Sequence, residues 1–279
     1  MGKRVHIALA VVLAAVAGLI AWQGLHPKER EPVYQGKALR VWLSESYYGR
    51  LRQDARGRDA AEGAIRHVGT NAIPTLLNML RKKDSPLVSM LIPVWDRHVA
   101  LMPHHLPVWI RFPSWYRTKA AVLNHQALTG FEILRADAHQ AVPALIKIYD
   151  QDISPDSRFY TSRALIAVGP GAARRAIPSF LRGAASANTR VRQDALYALS
   201  QAPGEPSVVV PALVKGLSDA DASIRKTAVM GLKEVGFAAQ PAVPALVRML
   251  SDPDVQVRSL AAQALLRIDY DAAVKAGLK

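Results

Sequence analysis

Apolar positions in one stretch of the chain fall at a regular spacing. Ile224, Ala228, Leu232 and Val235 stand at steps of four, four and three, which is one face of a helix. After a break of about seven residues, Val243, Leu246, Val247 and Leu250 make a second apolar face. Asp221 is an N-cap type for the first helix, and Gly236 suits the C′ position at its end. Pro244 stands in a first turn that needs no N–H. Asp221–Asp252 therefore predicts two helices joined by a turn, about 33 residues in all, with an apolar face that nothing inside the pair covers.

The same marks recur. Pro178, Pro211 and Pro244 stand 33 residues apart, and Pro143 lies 35 before Pro178. Arg158, Arg192, Arg225 and Arg258 follow at steps of 34, 33 and 33, each four residues after an N-cap type: Ser154, Asn188, Asp221 and Asp254. Asp54, Arg58 and Pro74 repeat the marks earlier, and Asn124 stands in an arginine slot. Arg58 to Arg158 is 100 residues, or three periods. Such a period predicts stacked supersecondary units. In such a stack Arg58, Arg158, Arg192, Arg225 and Arg258 form a ladder, read either as an anion track or as guanidiniums bonded to caps and loop carbonyls. Because cap and arginine travel together, the second reading is preferred.

The pattern Asp–x3–Arg–x2–Ala–x2–[Ala/Gly]–Leu–x3–Gly, followed by Val–Pro–Ala–Leu–[Val/Ile], resembles HEAT repeats of the short variety found in phycobilisome lyases. It reads best over residues 54–83 and 124–269. The resemblance implies an all-α fold, a right-handed α-solenoid of HEAT-like helical hairpins. It is nearly silent on function, because such repeats occur in scaffolds, lyases and nucleic-acid enzymes.

Composition agrees with helix-on-helix packing: 50% of residues are hydrophobic and only 6% aromatic. The absence of cysteine excludes disulfides, thiolate metal sites and a cysteine nucleophile. No HExxH, nucleophile elbow, phosphate-cradling glycine loop or EF-hand loop is present. His104 and His105 are adjacent, so they do not share a helical face, and no carboxylate stands near them at metal-ligand spacing. Asp150/Asp152, Asp219/Asp221 and Asp252/Asp254 fall between helices, where turn and cap chemistry accounts for them. No catalytic residue, cofactor or metal is expected.

Ahead of the repeats, residues 7–25 are 19 residues without a charge, preceded by Lys3 and Arg4. That length is about enough for one membrane crossing. Residues 1–25 are read as a transmembrane anchor or signal segment, with cleavage after Ala15-Val16-Ala17 as the alternative to a retained anchor. The short basic N-terminus keeps to the cytoplasm, which places the repeats on the extracytoplasmic side of the inner membrane. The alternative is a periplasmic protein released by cleavage.

Residues 26–53 read as a linker and a capping helix, with Leu39, Trp42 and Leu43 on one face after a glycine turn. This segment resembles the "YxGKxLxxWL" stretch of a family of bacterial membrane-anchored HEAT-repeat proteins. Residues 54–279 are the solenoid, interrupted at 84–115 by an irregular segment rich in proline and tryptophan. Irregular insertions in solenoids often bind partners, which makes Trp95, Trp109, Arg111 and Trp115 candidate partner-binding residues, together with the basic cluster Arg81, Lys82 and Lys83. The other reading of this segment is a decayed repeat.

Net charge is +14, and it is uneven. Residues 1–120 carry 18 basic and 8 acidic residues, whereas 201–279 carry 9 and 8. A basic, membrane-proximal half suits anionic lipid headgroups or an acidic partner. The function expected is a non-enzymatic, membrane-anchored scaffold for a protein or other envelope partner. The alternative is a basic solenoid that binds nucleic acid or acts as a lyase or glycosylase. That alternative needs aromatics interleaved with Lys and Arg on the helices, and the regular repeats hold no tryptophan.

Overall fold

The computed structural model describes residues 31–52, 54–84, 119–202 and 204–278. It begins with a feature the helical reading passes over. Val33–Tyr34 (β1) and Lys37–Ala38 (β2) pair antiparallel across a two-residue turn. Gln35 and Gly36 in that turn have φ of 48° and 74°, the conformation that lets a tight turn match strand twist. Strands of two residues are too short to show alternation, so only the turn was legible.

The helices that follow are α1 (Leu39–Arg52), α2 (Ala55–Val68), α3 (Ile73–Leu80), α4 (Lys119–Leu134), α5 (Val142–Asp150), α6 (Pro155–Val168), α7 (Pro170–Ala184), α8 (Thr189–Ser200), α9 (Pro206–Gly216), α10 (Ala222–Val235), α11 (Val243–Met249), α12 (Val255–Ile268) and α13 (Tyr270–Lys275). Apart from the small β1–β2 hairpin, the described fold is helical. It is solenoid-like, with one hydrophobic cluster running from Leu39 to Ala273.

The caps form where the sequence places them. Side chains of Asp54, Ser154, Asn188, Asp221 and Asp254 each accept a backbone N–H from the first turn of α2, α6, α8, α10 and α12. Gly69 and Gly236 close α2 and α10 with φ of 58° and 68°, where a side chain would be strained. Pro74, Pro143 and Pro244 stand in first turns, but Pro178 and Pro211 lie inside α7 and α9. Those two helices start earlier, at Pro170 and Pro206, because each already has a proline for its first turn.

The packing shifts the repeat unit by half a period from the Asp221–Asp252 pair. Each second helix packs more closely on the helix after it than on the one before: α5 on α6, α7 on α8, α9 on α10, α11 on α12. Seven-residue 3₁₀ connectors, Arg135–Ala141 and Gly236–Ala242, spread two of the pairs the sequence reading joined. The arginine loops are short and hold their two helices together. In this phase α1 is the first helix of the first unit, packed on α2. A Cβ on Gly216 of α9 would lie 2.9 Å from Leu196 Cδ1 and 3.0 Å from Ala228 Cβ, so α9 sits against α8 and α10 only because that position has no side chain.

The two flanks of the irregular segment meet. The Asp84 carboxylate accepts the Ala120 amide at 3.3 Å, and Asn124 Nδ2 donates to the Lys82 carbonyl at 3.3 Å. Helix α3 packs directly on α4. The three sequence periods between Arg58 and Arg158 therefore correspond to two steps of the described stack. Among the described residues, no helix is long and apolar enough to cross a membrane. The anchor expected at 7–25 lies outside the described residues.

Candidate functional site

The arginine ladder is a repeated bond pattern. Arg192 on α8 grips Asp219 with Nε and Nη2 at 2.8 and 3.1 Å, while its Nη1 donates to the carbonyls of Ser186 and Ala187, both at 3.0 Å. Arg225 on α10 repeats this one unit on. Its Nε and Nη2 reach Asp252 at 2.7 and 2.9 Å, and its Nη1 reaches the carbonyls of Asp219 and Ala220 at 2.9 and 3.0 Å. Asp219 and Asp252 also accept the amides of Asp221 and Asp254. Each aspartate thus joins one arginine by its side chain and the next by its carbonyl. The aspartate gripped is not the cap itself but the residue two before it. Hydrogen bonds from Arg192 and Arg225 hold the Asp219 and Asp252 carboxyls below the ordinary carboxylate range. These guanidiniums are occupied by the stack and offer no anion track.

The ladder does not reach the earlier arginines. Among the described residues the Arg58 side chain bonds only its neighbour Asp59, at 3.1 Å, and Asn124 is fully buried in the arginine slot of α4. Arg158 folds back onto Asp152 of its own loop at 3.1 Å and stands over the Tyr149 ring, its Nε without a partner. Ser186 occupies the place equivalent to Asp219 and Asp252, where its hydroxyl accepts the Asn188 amide as those carboxylates accept theirs.

Of the residues singled out for partner binding, Arg81, Lys82 and Lys83 are exposed just beyond α3, where the chain departs toward 85–118. Trp95, Trp109, Arg111 and Trp115 lie outside the described residues.

A second grouping escaped the sequence reading. Along α1, α4 and α6 runs a row of rings: Tyr47 of α1 edge-on to His125 of α4 at 4.8 Å, and His125 stacked on Tyr160 of α6 at 5.3 Å. Beside it Phe159 meets Tyr160 edge-on, and the Arg163 guanidinium lies 3.5 Å from the Tyr197 ring centroid and 4.8 Å from that of Phe159. Met230 of α10, 52% exposed, continues the row. Between α6, α8 and α10 these side chains line a cleft of about 390 Å³, with Arg190, Asp194 and Glu234 at its polar wall. Burial raises the Asp194 carboxyl above the usual range, against the pull of Arg190, Arg163 and Arg158. Burial likewise lowers His125.

The signal for this row was the period itself. Arg163, Tyr197 and Met230 stand 34 and 33 residues apart, as do Phe159, Gln193 and Thr227 at steps of 34. Each column lies outside the apolar stripe, so a search for tryptophan and for conserved residue type down the repeat passes over it.

A model of HEAT repeats matches residues 210–276. No curated protein matches the chain. Solved structures similar to it include an engineered protein with 19% identity and a TM-score of 0.43, covering 75% of this chain and 91% of that one. A designed armadillo repeat protein in complex with the peptide (KR)4 has 16% identity and a TM-score of 0.43, covering 86% and 99%. The complex of CpcE and CpcF of phycocyanin lyase from Nostoc sp. has 20% identity and a TM-score of 0.37, covering 90% and 97%. Residues 210–276 are thus similar to HEAT repeats, and the same pairing of helices recurs in the earlier described helices.

Proposed function

We propose that this protein is a HEAT-repeat scaffold that holds an extended segment of a partner protein along the face formed by α1, α4, α6, α8 and α10, without chemistry of its own. The observation that carries the reading is the row of rings from Tyr47 to Tyr197, ending in the cleft at Met230. Aromatic, arginine and methionine side chains are the types enriched where protein surfaces meet. Arg163, held against two rings, already has an orientation from which to donate. Charge at the cleft is balanced, Arg163 and Arg190 against Asp194 and Glu234, and this suits a peptide better than a polyanion. The interleaving of Arg163 with Phe159 and Tyr197 is the feature that favours the nucleic-acid alternative. A polyanion groove would need a cationic excess that the cleft lacks.

The scaffold is proposed to sit at the inner membrane through residues 7–25, with its repeats on the extracytoplasmic side. The hydropathy of that stretch and its short basic flank support this placement. The exposed basic cluster Arg81, Lys82 and Lys83 carries the charge that anionic headgroups would attract.

A photo-crosslinking residue placed at Met230, and separately at Val208 of α9, tests the binding face in cells. A discrete crosslinked polypeptide from Met230, absent from Val208 and lost on Tyr197→Ala, is expected. Equal labelling from both sites rejects the face. Protease treatment of spheroplasts tests topology: digestion of the repeats only after removal of the outer layer supports the placement, and protection until lysis overturns it.

A further inference from the structure

Among the described residues, three helices end in a residue of positive φ that opens a 3₁₀ connector. They are Gly69 after α2, Arg135 after α4 and Gly236 after α10, with φ of 58°, 48° and 68°. Glycine takes that conformation freely, whereas an arginine in it is strained. Space is not what keeps the other two positions bare, because a Cβ on Gly69 or Gly236 would meet nothing within 4 Å. Those two ends close without a side chain, so the fold does not ask for one at 135. Strain kept at a single position of a repeat belongs with a site rather than with the fold.

The Arg135 side chain is exposed and lines a cleft of about 600 Å³, to which the C-terminal parts of α1, α2, α4 and α6 contribute. Arg50 and Arg66 line it too, and a chain of bonds sets their positions. Glu132 accepts from Arg50 Nη1 at 2.9 Å, and Glu62 accepts from Arg50 Nη2 and Arg66 Nη2, both at 3.3 Å. Both carboxylates are thus engaged by Arg50 and Arg66, and Arg135 brings a third guanidinium, an excess of positive charge. Ile133 and Ala167 supply the apolar part of the lining. We propose that this cleft binds a small organic anion, whose phosphate or carboxylate group is taken by the Arg135 guanidinium. A planar fork of N–H donors matches the paired oxygens of either group, and the volume is that of a small-molecule site. The cleft shares no residue with the one at Met230, so it stands or falls apart from the scaffold reading.

The test uses the full chain labelled with nitrogen-15 in its arginine side chains, with the Arg135 Nε–H resonance assigned by its loss in Arg135→Gly. The probes are inorganic phosphate and succinate, each compared with chloride at equal ionic strength. A saturable shift of the Arg135 resonance with phosphate or succinate is expected, and none with chloride. Whichever probe saturates at the lower concentration identifies the anionic group. Arg66→Gln should weaken that binding about tenfold, and the exposed Arg267 should not saturate. Arg135→Gly restores the residue of the other two helix ends, so its thermal midpoint should be no lower than that of the unaltered chain. A lower midpoint overturns the proposal, because the arginine then serves the fold. Equal shifts in all three salts overturn it as well, as does a response of Arg135 no larger than that of Arg267.

Discussion

At Arg192 and Arg225, arginine loops are tied to one another by bidentate ion pairs, whereas in the preceding units Arg58 reaches Asp59, Asn124 reaches a carbonyl and Arg158 turns back on Asp152. The first half holds its helices by other means. Trp42 of α1 donates its indole N–H to the Tyr34 carbonyl of the β1–β2 hairpin at 3.1 Å, and Arg50 bridges Glu62 and Glu132 across α2 and α4. Helix α4 sits against α1 and α3 where a Cβ on Gly130 would stand 2.5 Å from Leu76 Cδ2 and 3.3 Å from Leu43 Cδ2. The difference teaches where regularity is needed. A ladder suits identical neighbours stacked at one spacing. In the units before Arg192, the stack relies on burial and on single fitted contacts.

The ladder is broken most severely at its most enclosed pair. Arg225 and Asp252 have side chains 11% and 3% exposed. Arg225→Ala leaves Asp252 enclosed with one charge-bearing partner gone, and is expected to cost about 3 kcal/mol. Arg58→Ala, on an exposed pair between sequence neighbours, is expected to stay within about 0.5 kcal/mol. Hydrogen exchange should show the loss confined to α9–α12 in the first case, as expected of units that contact only their neighbours. Equal effects of the two substitutions would remove the distinction between the halves.

Gly130→Ala tests the other half and is expected to destabilise by about 1–2 kcal/mol, because the new methyl meets side-chain ends that are themselves fully packed. Its signature in exchange should lie in α1–α4, away from the ladder. Extending the ladder is a smaller effect of opposite sign. Ser186→Asp places a carboxylate at the position equivalent to Asp219, toward an Arg158 whose Nε has no partner. A gain of about 1 kcal/mol is expected, read as a rise in thermal midpoint of about 2–4 °C. No gain would mean that Arg158 prefers Asp152 and the Tyr149 ring to the regular pattern.

How much of this was legible follows from what each feature depends on. Caps, the Gly69 and Gly236 helix ends and the period are local chemistry, and Asp54, Asn188, Asp221 and Asp254 announced their helices directly. The phase of the unit was not local. Nothing in Asp221–Asp252 says that α10 prefers α9 to α11; that preference follows from the 3₁₀ connector at Gly236–Ala242 and from the bonds that close the arginine loops. The ladder was legible as a column of arginines, but its partner aspartates stand 27 residues later, two positions before a cap, where turn chemistry alone also accounts for an aspartate. The aromatic row was harder still. Each of its rings is an unremarkable surface residue in its own helix, and only the stack brings His125 to Tyr160 and Arg163 to Tyr197.

The smallest expected effect separates ladder from cleft by pH. The folded-state pKa of Asp219 and Asp252 is lowered by their arginine bonds. A depressed carboxylate stabilises the fold fully above its unfolded pKa, about 3.9, and that stabilisation is lost as pH falls through the lower folded value. Asp194 has the opposite shift, because burial raises its pKa in the cleft. The native state then holds its proton more tightly than the unfolded chain, so stability declines as pH rises from about 3.9 through the raised folded value, and stays lower above it. Asp252→Asn should therefore flatten the acid limb of a denaturation-midpoint profile. Asp194→Asn should leave that limb in place and raise stability at neutral pH. If a partner's cation meets Asp194 in the cleft, binding restores the charge's value, and the Asp194→Asn protein should bind more weakly while folding more stably. An Asp194→Asn protein that is less stable at neutral pH would show that the arginines around it outweigh its burial, and the cleft would then be a structural ion cluster like the ladder.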